Sequence, residues 1–367
     1  MPKMLMVGIA VLCGVIGLTA CGGGGGSSSG TSTEAEPAAT AESAGSTQEE
    51  SVGSTQEGAG EAENALIQVI NPLPNVFVNS NNEGAENKAA ELGLTNLQIT
   101  QSGGDPAKEV ANVNDAITKG AKAIIINPVS SEGVTPSIEA ANEAGICTIV
   151  GYSELTNQPP GGKGVPKGSK AYIGWYEMEG GELVGNALAE AMGGKGGIVI
   201  IQGIGTGQAE QQREAGARKV WEEKYPGIKV LSVQPAEFDP AKARSVMQNF
   251  IQRYGDEIQG VLAIGDQMGS AAATVVAESE LAGKVQIGGF GAEKEFVRAI
   301  ENGEATVTVP FAPVEDWEKA VELAVECING NTEPVRYSTK ELPGVQKLKP
   351  YGYVVTKEDA HLWPPQW

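Results

Sequence analysis

Two hydrophobic periodicities take turns along this chain, and the whole pattern is played twice. Short runs rich in Val, Ile, Leu and Ala occur at 66–70, 97–100, 123–127 and 147–150. They are too brief for buried helices and carry the β-branched residues that suit a sheet interior. Between them lie stretches with 3.6-residue spacing, such as 106–119 and 132–144. Strands that are apolar throughout, rather than alternating, belong to a sheet covered on both faces, as helical crossovers cover a parallel one. The helix ends agree. Asp105 stands before Pro106, a good first helical residue, while Lys119-Gly120 and Ala144-Gly145 supply the closing glycines. Beyond a Gly- and Pro-rich stretch at 158–168 the pattern restarts. Strands are expected at 198–202, 229–233, 261–264 and 285–288, and helices at 209–224, 240–254, 269–281 and 293–302. A strand at 305–309 and a helix at 314–329 follow. A single core stops growing near about 250–300 residues, so the expectation is an α/β chain of two doubly wound parallel-sheet lobes.

Open parallel sheets bind ligands beyond the carboxyl ends of their strands. Two such lobes facing each other would line a shared cleft with their strand-end loops, at 71–77, 151–153, 203–213, 235–238, 265–267, 289–291 and 310–311. One loop, Gly203-Ile204-Gly205-Thr206-Gly207, has the look of a dinucleotide-binding turn. Its last glycine is misplaced and its strand is not the first of the unit, so close backbone approach at the cleft is the better reading. Catalysis finds little support. The one histidine, His361, lies far from these loops, which leaves no general base of the usual kind there. No Cys/His cluster offers a metal site, and no cofactor is expected.

The amino-terminal segment reads as an export signal. Lys3 precedes an apolar stretch at 5–18 that ends in Leu18-Thr19-Ala20-Cys21. That stretch is shorter than the about 20 residues a membrane-spanning helix needs and suits a signal peptide. The last four residues form a lipobox, so residues 1–20 are expected to be removed and Cys21 to receive a lipid. Residues 21–64, built of Gly, Ser, Thr, Ala, Gln and Glu, cannot bury enough surface to fold and are expected to be a disordered tether. The net charge is −20; the signal carries one Lys and the tether eight Glu, leaving −13 on the remainder. An acidic surface argues against nucleic acid or an anionic membrane as partner, so membrane contact is expected only through the lipid. Of the four cysteines, Cys147 and Cys327 alone remain in the folded part. A disulfide and two buried free thiols are both open outside the cell; their apolar surroundings favour the thiols.

Several segments then resemble the ribose-type periplasmic sugar-binding proteins. They are Asn75-Val76-Phe77 before a helix, the run from Asp105 to Asp115, Ile124 to Pro128, Gln234 to Asp239, Val246 to Asn249, Gly265 to Met268, and Ile287 to Phe290. The resemblance spans nearly all of the folded part in order. It implies two lobes joined by three crossings, roughly 65–174 plus 312–338 and 175–311 plus 339–367, with the helix at 314–329 returning to the first lobe. It also implies hinge closure around one small ligand that is passed on, by a chain expected to be monomeric, to an ABC permease or, alternatively, to a sensor kinase or chemoreceptor. An extracellular hydrolase is disfavoured by the missing catalytic groups.

Matched position by position, Asn75, Phe77, Arg213 and Phe238 keep the family's ligand-contacting character, whereas Tyr152-Ser153, Gly265, Gly291 and Phe311 replace its Asp-Arg pair, Asn, Asp and Gln. Trp175-Tyr176 stand where the family has small or acidic residues. Asp266, opening a helix after a strand, is a further candidate, though N-capping is its default role. Fewer hydroxyl-pairing groups and more rings imply a wider, more aromatic pocket. That argues against ribose itself and for a sugar, a polyol or a flatter solute, with Arg213 pairing a carboxylate or hydroxyl.

Overall fold

The computed structural model describes residues 59–157, 164–205 and 207–367. The expected signal peptide, Cys21 and most of the tether lie outside the described residues.

The chain opens with α1 (Ala59–Glu63), β1 (Ile67–Asn71), α2 (Val76–Glu91), β2 (Leu97–Gln101), α3 (Pro106–Thr118), β3 (Ala123–Ile126), α4 (Ser131–Glu143) and β4 (Cys147–Gly151). After β5 (Ala171–Gly174) a second series begins with α5 (Glu177–Ala191), β6 (Lys195–Gln202), α6 (Gln208–Lys224), β7 (Gly227–Pro235), α7 (Pro240–Tyr254) and β8 (Ile258–Ala263). It continues with α8 (Asp266–Ala277), β9 (Gln286–Gly291), α9 (Lys294–Asn302) and β10 (Val307–Pro310). Last come α10 (Pro313–Ile328), β11 (Val335–Ser338) and α11 (Pro343–Gln346).

These strands form two parallel sheets. The first runs β2-β1-β3-β4-β5-β11 and the second β7-β6-β8-β9-β10. The first five strands of each follow one order, in which the chain starts beside the centre, reverses once and then marches outward. The reversal, between β1 and β3 and between β6 and β8, is where such sheets open a crevice at their carboxyl edge. The inner strands carry fully buried apolar runs, as in Ile124-Ile125-Ile126 and Ile198 to Ile201. Capping follows the sequence signals: Asp105 and Asp239 each accept two backbone N–H groups at the heads of α3 and α7.

The chain passes between the sheets three times, after β5, after β10 and after β11. Trp175 on the first crossing is fully buried and its Nε1 donates to the Pro310 carbonyl on the second, at 2.6 Å, pinning the two together. α10 packs against α2 and the first sheet. The chain beyond α11 returns to the second sheet, where Val355 and Thr308 exchange antiparallel hydrogen bonds.

Three expectations need correction. Cys147 and Cys327 are not free thiols but a disulfide, with Cα atoms 6.0 Å apart across a sequence separation of 180 residues; the return of α10 to the first sheet lays its last turn beside the start of β4. The tether stops short of residue 64: α1 already buries Ala62, and the Glu63 carbonyl accepts the Thr95 amide at 2.8 Å. The strands β5 and β11 had no counterpart in the sequence pattern.

Candidate functional site

Between the carboxyl ends of the two sheets lies a cavity of about 90 Å³ open to the centres of water-sized groups. The first lobe contributes Asn75, Phe77, Asn127 and Tyr152, and the second Glu210, Arg213, Phe238 and Gln267. Phe311 on the second crossing lies between them, and Trp367 closes the remaining side.

Local backbone explains much of this. Four residues just past strand ends adopt left-handed φ without being glycine: Tyr152 (58°), Glu237 (54°), Phe238 (57°) and Ala292 (51°). That region is costly for a bulky side chain, about 1–3 kcal/mol each, and persists only where surroundings over-determine it. At Tyr152 they do. Its ring stacks between Trp317 (centroids 5.0 Å apart, planes 11°) and Phe311 (5.8 Å, 17°). Its hydroxyl lies 3.1 Å from a carboxylate oxygen of Asp316, which also accepts the Thr339 hydroxyl. Burial pushes the Asp316 carboxyl up to about 8, only partly countered by these hydrogen bonds. Gly151 must lack a side chain, because a Cβ there would lie 2.4 Å from the Trp317 ring. Phe238 is held through its carbonyl, which accepts the Gln267 amide at 3.2 Å. Asn75 caps α2, its side-chain oxygen accepting the Val78 amide at 2.8 Å, so the cavity receives this side chain from a fixed helix start. The loop bearing Asn127 and Val129 is steadied by Glu109, which accepts the Val129 amide at 2.6 Å and the Ser130 amide at 3.2 Å.

Arg213 is the charged centre of the second-lobe wall. Its Nε and Nη2 donate to the two oxygens of Glu177 at 2.7 and 3.1 Å, and Nη1 to the Ile264 carbonyl at 3.0 Å. Burial of the guanidinium is outweighed by the Glu177 carboxylate, which raises its pKa further. Its plane lies over Phe311 and Phe290, 4.8 and 5.4 Å from the ring centroids, a cation–π arrangement. Of five N–H donors, three are thus committed among the described residues, and two remain for a ligand. The close approach of α5 and α6 makes the pair possible: at Gly181 a Cβ would lie 2.2 Å from the Arg213 carbonyl oxygen.

Six of the nine ligand-binding candidates therefore meet at one cavity: Asn75, Phe77, Tyr152, Arg213, Phe238 and Phe311. Three do not. Trp175 pins the crossings, as described above. Tyr176 stacks outside under the Arg336 guanidinium, 4.5 Å from its centroid. Asp266 is fully buried behind the wall, accepting the Glu293 amide at 3.0 Å and the Thr308 hydroxyl at 2.9 Å; burial pushes its carboxyl up to about 7. It does not cap its helix, where Gly265 holds the N-cap position. The widened pocket expected at Gly265 and Gly291 is also absent, because rings occupy the space. A Cβ at Gly265 would lie 3.0 Å from Phe238, and one at Gly291 2.5 Å from Trp367. Sequence reasoning named the strand-end loops that hold Glu210, Gln267 and Phe290 as cleft-lining but did not single these residues out as ligand contacts; the loop at Asn127 to Val129 was not among the named loops. It had no signal at all for Trp367, which reaches the cleft from the far end of the chain.

Two facing sheets with one cleft at their carboxyl edges define a two-lobed receptor. The chain belongs to the periplasmic binding protein family, whose domain pattern matches residues 67–332. It is similar to the ribose import binding protein RbsB of Salmonella typhimurium, at 32% identity over 75% of this chain and 88% of that protein. It is also 30% identical to a xylitol-binding protein of Mycolicibacterium smegmatis, over 60% of this chain and 61% of that one. Among solved structures, an ABC transporter periplasmic solute binding protein from Actinobacillus succinogenes with bound D-allose aligns with a TM-score of 0.69. It is 27% identical, over 82% of this chain and 100% of that one. A Bacillus halodurans solute binding protein with bound myo-inositol shares the fold at a TM-score of 0.71 and 22% identity, over 82% of this chain and 98% of that one.

Proposed function

We propose that this protein is an extracytoplasmic receptor that closes its lobes, 65–174 plus 312–338 and 175–311 plus 339–367, around one monosaccharide or polyol and presents it to an ABC permease. The observation that carries the reading is the cavity itself, walled by rings from both lobes and edged by a few converging polar groups. Rings cover the apolar faces of a sugar, and Arg213, Glu210, Asn75, Asn127 and Gln267 pair its hydroxyls. At about 90 Å³ the space holds roughly six to nine water-sized groups, the scale of a single sugar ring and not of a disaccharide. The ligands of the relatives, ribose, xylitol and D-allose, are of that size.

Binding without turnover is the matching expectation. The one histidine, His361, is exposed and away from the cavity, and the cavity's arginine is held by Glu177. The Cys147–Cys327 disulfide suits a compartment outside the reducing cytoplasm, in keeping with a chain exported by its signal and held at the membrane by lipid on Cys21. No helix among the described residues is long and apolar enough to cross a membrane.

Thermal-shift measurement of the purified protein against D-ribose, D-allose, D-arabinose, xylitol and myo-inositol tests the reading. A ligand at a hundred times its Kd adds about 2.7 kcal/mol, a shift of several degrees. No shift with any member, set beside a clear shift with an unrelated solute class, would overturn it.

A further inference from the structure

Near its end the chain does something the two lobes do not require. From Trp363, whose Nε1 donates to the Ala292 carbonyl at 3.0 Å, it runs across the mouth of the cleft and fastens to both sides. The Trp367 carbonyl accepts the Lys294 amide of α9 in the second lobe, at 2.9 Å. Gln366 accepts the Val314 amide at 3.2 Å and donates to Glu315 at 3.0 Å, both on α10. The Trp367 indole then enters the cavity. It stands edge-on to Phe77 of the first lobe with centroids 5.1 Å apart, and it fills the space over Gly291 of the second. A Cβ at Gly291 would meet it at 2.5 Å, and φ there is 137°, which also favours glycine. The glycine and the indole are thus two halves of one arrangement.

The indole nitrogen gives the arrangement a purpose. Trp367 Nε1 is shut off from solvent and has no hydrogen-bond partner among the described residues. A buried N–H left unpaired shifts the equilibrium against itself by on the order of tenfold to a hundredfold. Most buried side-chain polar atoms in folded proteins have a partner. Here the donor belongs to a ring that lines the cavity; because the nitrogen itself has no accessible surface in this arrangement, a ligand oxygen would reach it only when the indole turns on binding. We propose that Trp367 is a specificity-determining contact of the ligand site. Its N–H donates to one oxygen of a bound monosaccharide or polyol, and its ring sets the upper limit on ligand size. The inference rests on the sugar-receptor reading above and assigns the part of that site which comes from outside both sheets.

Titration calorimetry on the full chain with the panel above, for the wild type, Trp367→Phe and Trp367→Ala, tests it. Trp367→Phe keeps a ring and removes the donor, and the tightest panel member should bind roughly tenfold more weakly while the melting temperature of the empty protein stays in place. Trp367→Ala should lose on the order of a hundredfold for that sugar and shift its order of preference toward the bulkier members, D-allose and myo-inositol. If both variants bind with wild-type affinities and wild-type order, the inference falls and the sugar-receptor reading stands. If the wild type binds nothing and Trp367→Ala binds, the indole is a plug and not a contact, which also overturns it. A panel that binds to none of the three proteins sinks both.

Discussion

On the first-lobe side of the cleft, Tyr152 stands in a rank of stacked rings with its hydroxyl tied to Asp316, and a disulfide joins β4 to α10 behind it. On the second-lobe side there is no disulfide. Phe238 sits on left-handed backbone, and the wall is organised by the Arg213–Glu177 pair between two helices that almost touch: at Gly216 a Cβ would lie 2.1 Å from the Met178 carbonyl oxygen. One wall is therefore neutral and covalently braced, while the other is charged and braced by shape. The comparison teaches that a receptor of this kind can brace its two halves by unlike means. It also says where each half is vulnerable.

The charged wall should break most easily. Arg213→Ala leaves the Glu177 carboxylate buried without its partner, which costs about 3–5 kcal/mol and removes the cavity's cation. Urea denaturation should show the loss, and ligand titration should show no binding. Replacing both partners together, as Arg213→Met with Glu177→Leu, should recover most of the stability and none of the binding. If stability is not recovered, the wall is not organised by the pair.

Next comes the brace of the first lobe. Reducing Cys147–Cys327, or replacing both cysteines by serine, should cost about 2–5 kcal/mol. Hydrogen exchange should place the loosening in the first sheet and α10, leaving β6 to β10 protected. Loosening spread evenly over both lobes would erase the contrast.

A further effect should be common to both walls. Asp316 in one lobe is pushed up to about 8 and Asp266 in the other to about 7, each chiefly by burial. Unfolded, these carboxyls release their protons near pH 4; folded, they hold them well beyond. The folded state therefore binds more protons through this window, and stability should fall as pH rises from about 4 to about 8. Melting curves across that range should slope downward, and Asp316→Asn should flatten part of the slope. The smallest effect expected is that of Tyr152→Phe, about 1 kcal/mol for the lost hydroxyl contact, with ligand affinity unchanged because the ring, not the hydroxyl, lines the cavity.

Much of the fold was legible because its signals are local. Strands such as Ala123–Ile126 and caps such as Asp105 and Asp239 announce themselves within a few residues. β5 and β11 did not. Each has four residues and is a strand only because a neighbour's edge receives it. The disulfide was misread for a related reason: apolar neighbours describe a cysteine's surroundings but not its partner 180 residues away. At the site, strand-end logic found the loops that supply the walls. It erred where a side chain turns away, as Asp266 does, or where space left by a glycine is filled from a distance, as Phe238 and Trp367 fill it. Such facts belong to tertiary contacts and have no local signature.

One carboxylate draws a last consequence from the arrangement. Glu154, just past β4, is buried; it accepts from Arg336 of β11 at 2.9 Å and from Gln212 of α6 at 2.8 Å. The first partner travels with it and the second belongs to the opposite lobe. Parting the lobes therefore cannot be a frictionless swing, since the carboxylate must surrender one donor and admit water before any wide gap appears. On the hinge-closure reading proposed above, Glu154 would act as a detent. The unloaded receptor would rest at a definite angle instead of drifting through many, and an arriving solute would meet jaws already set for its final small movement.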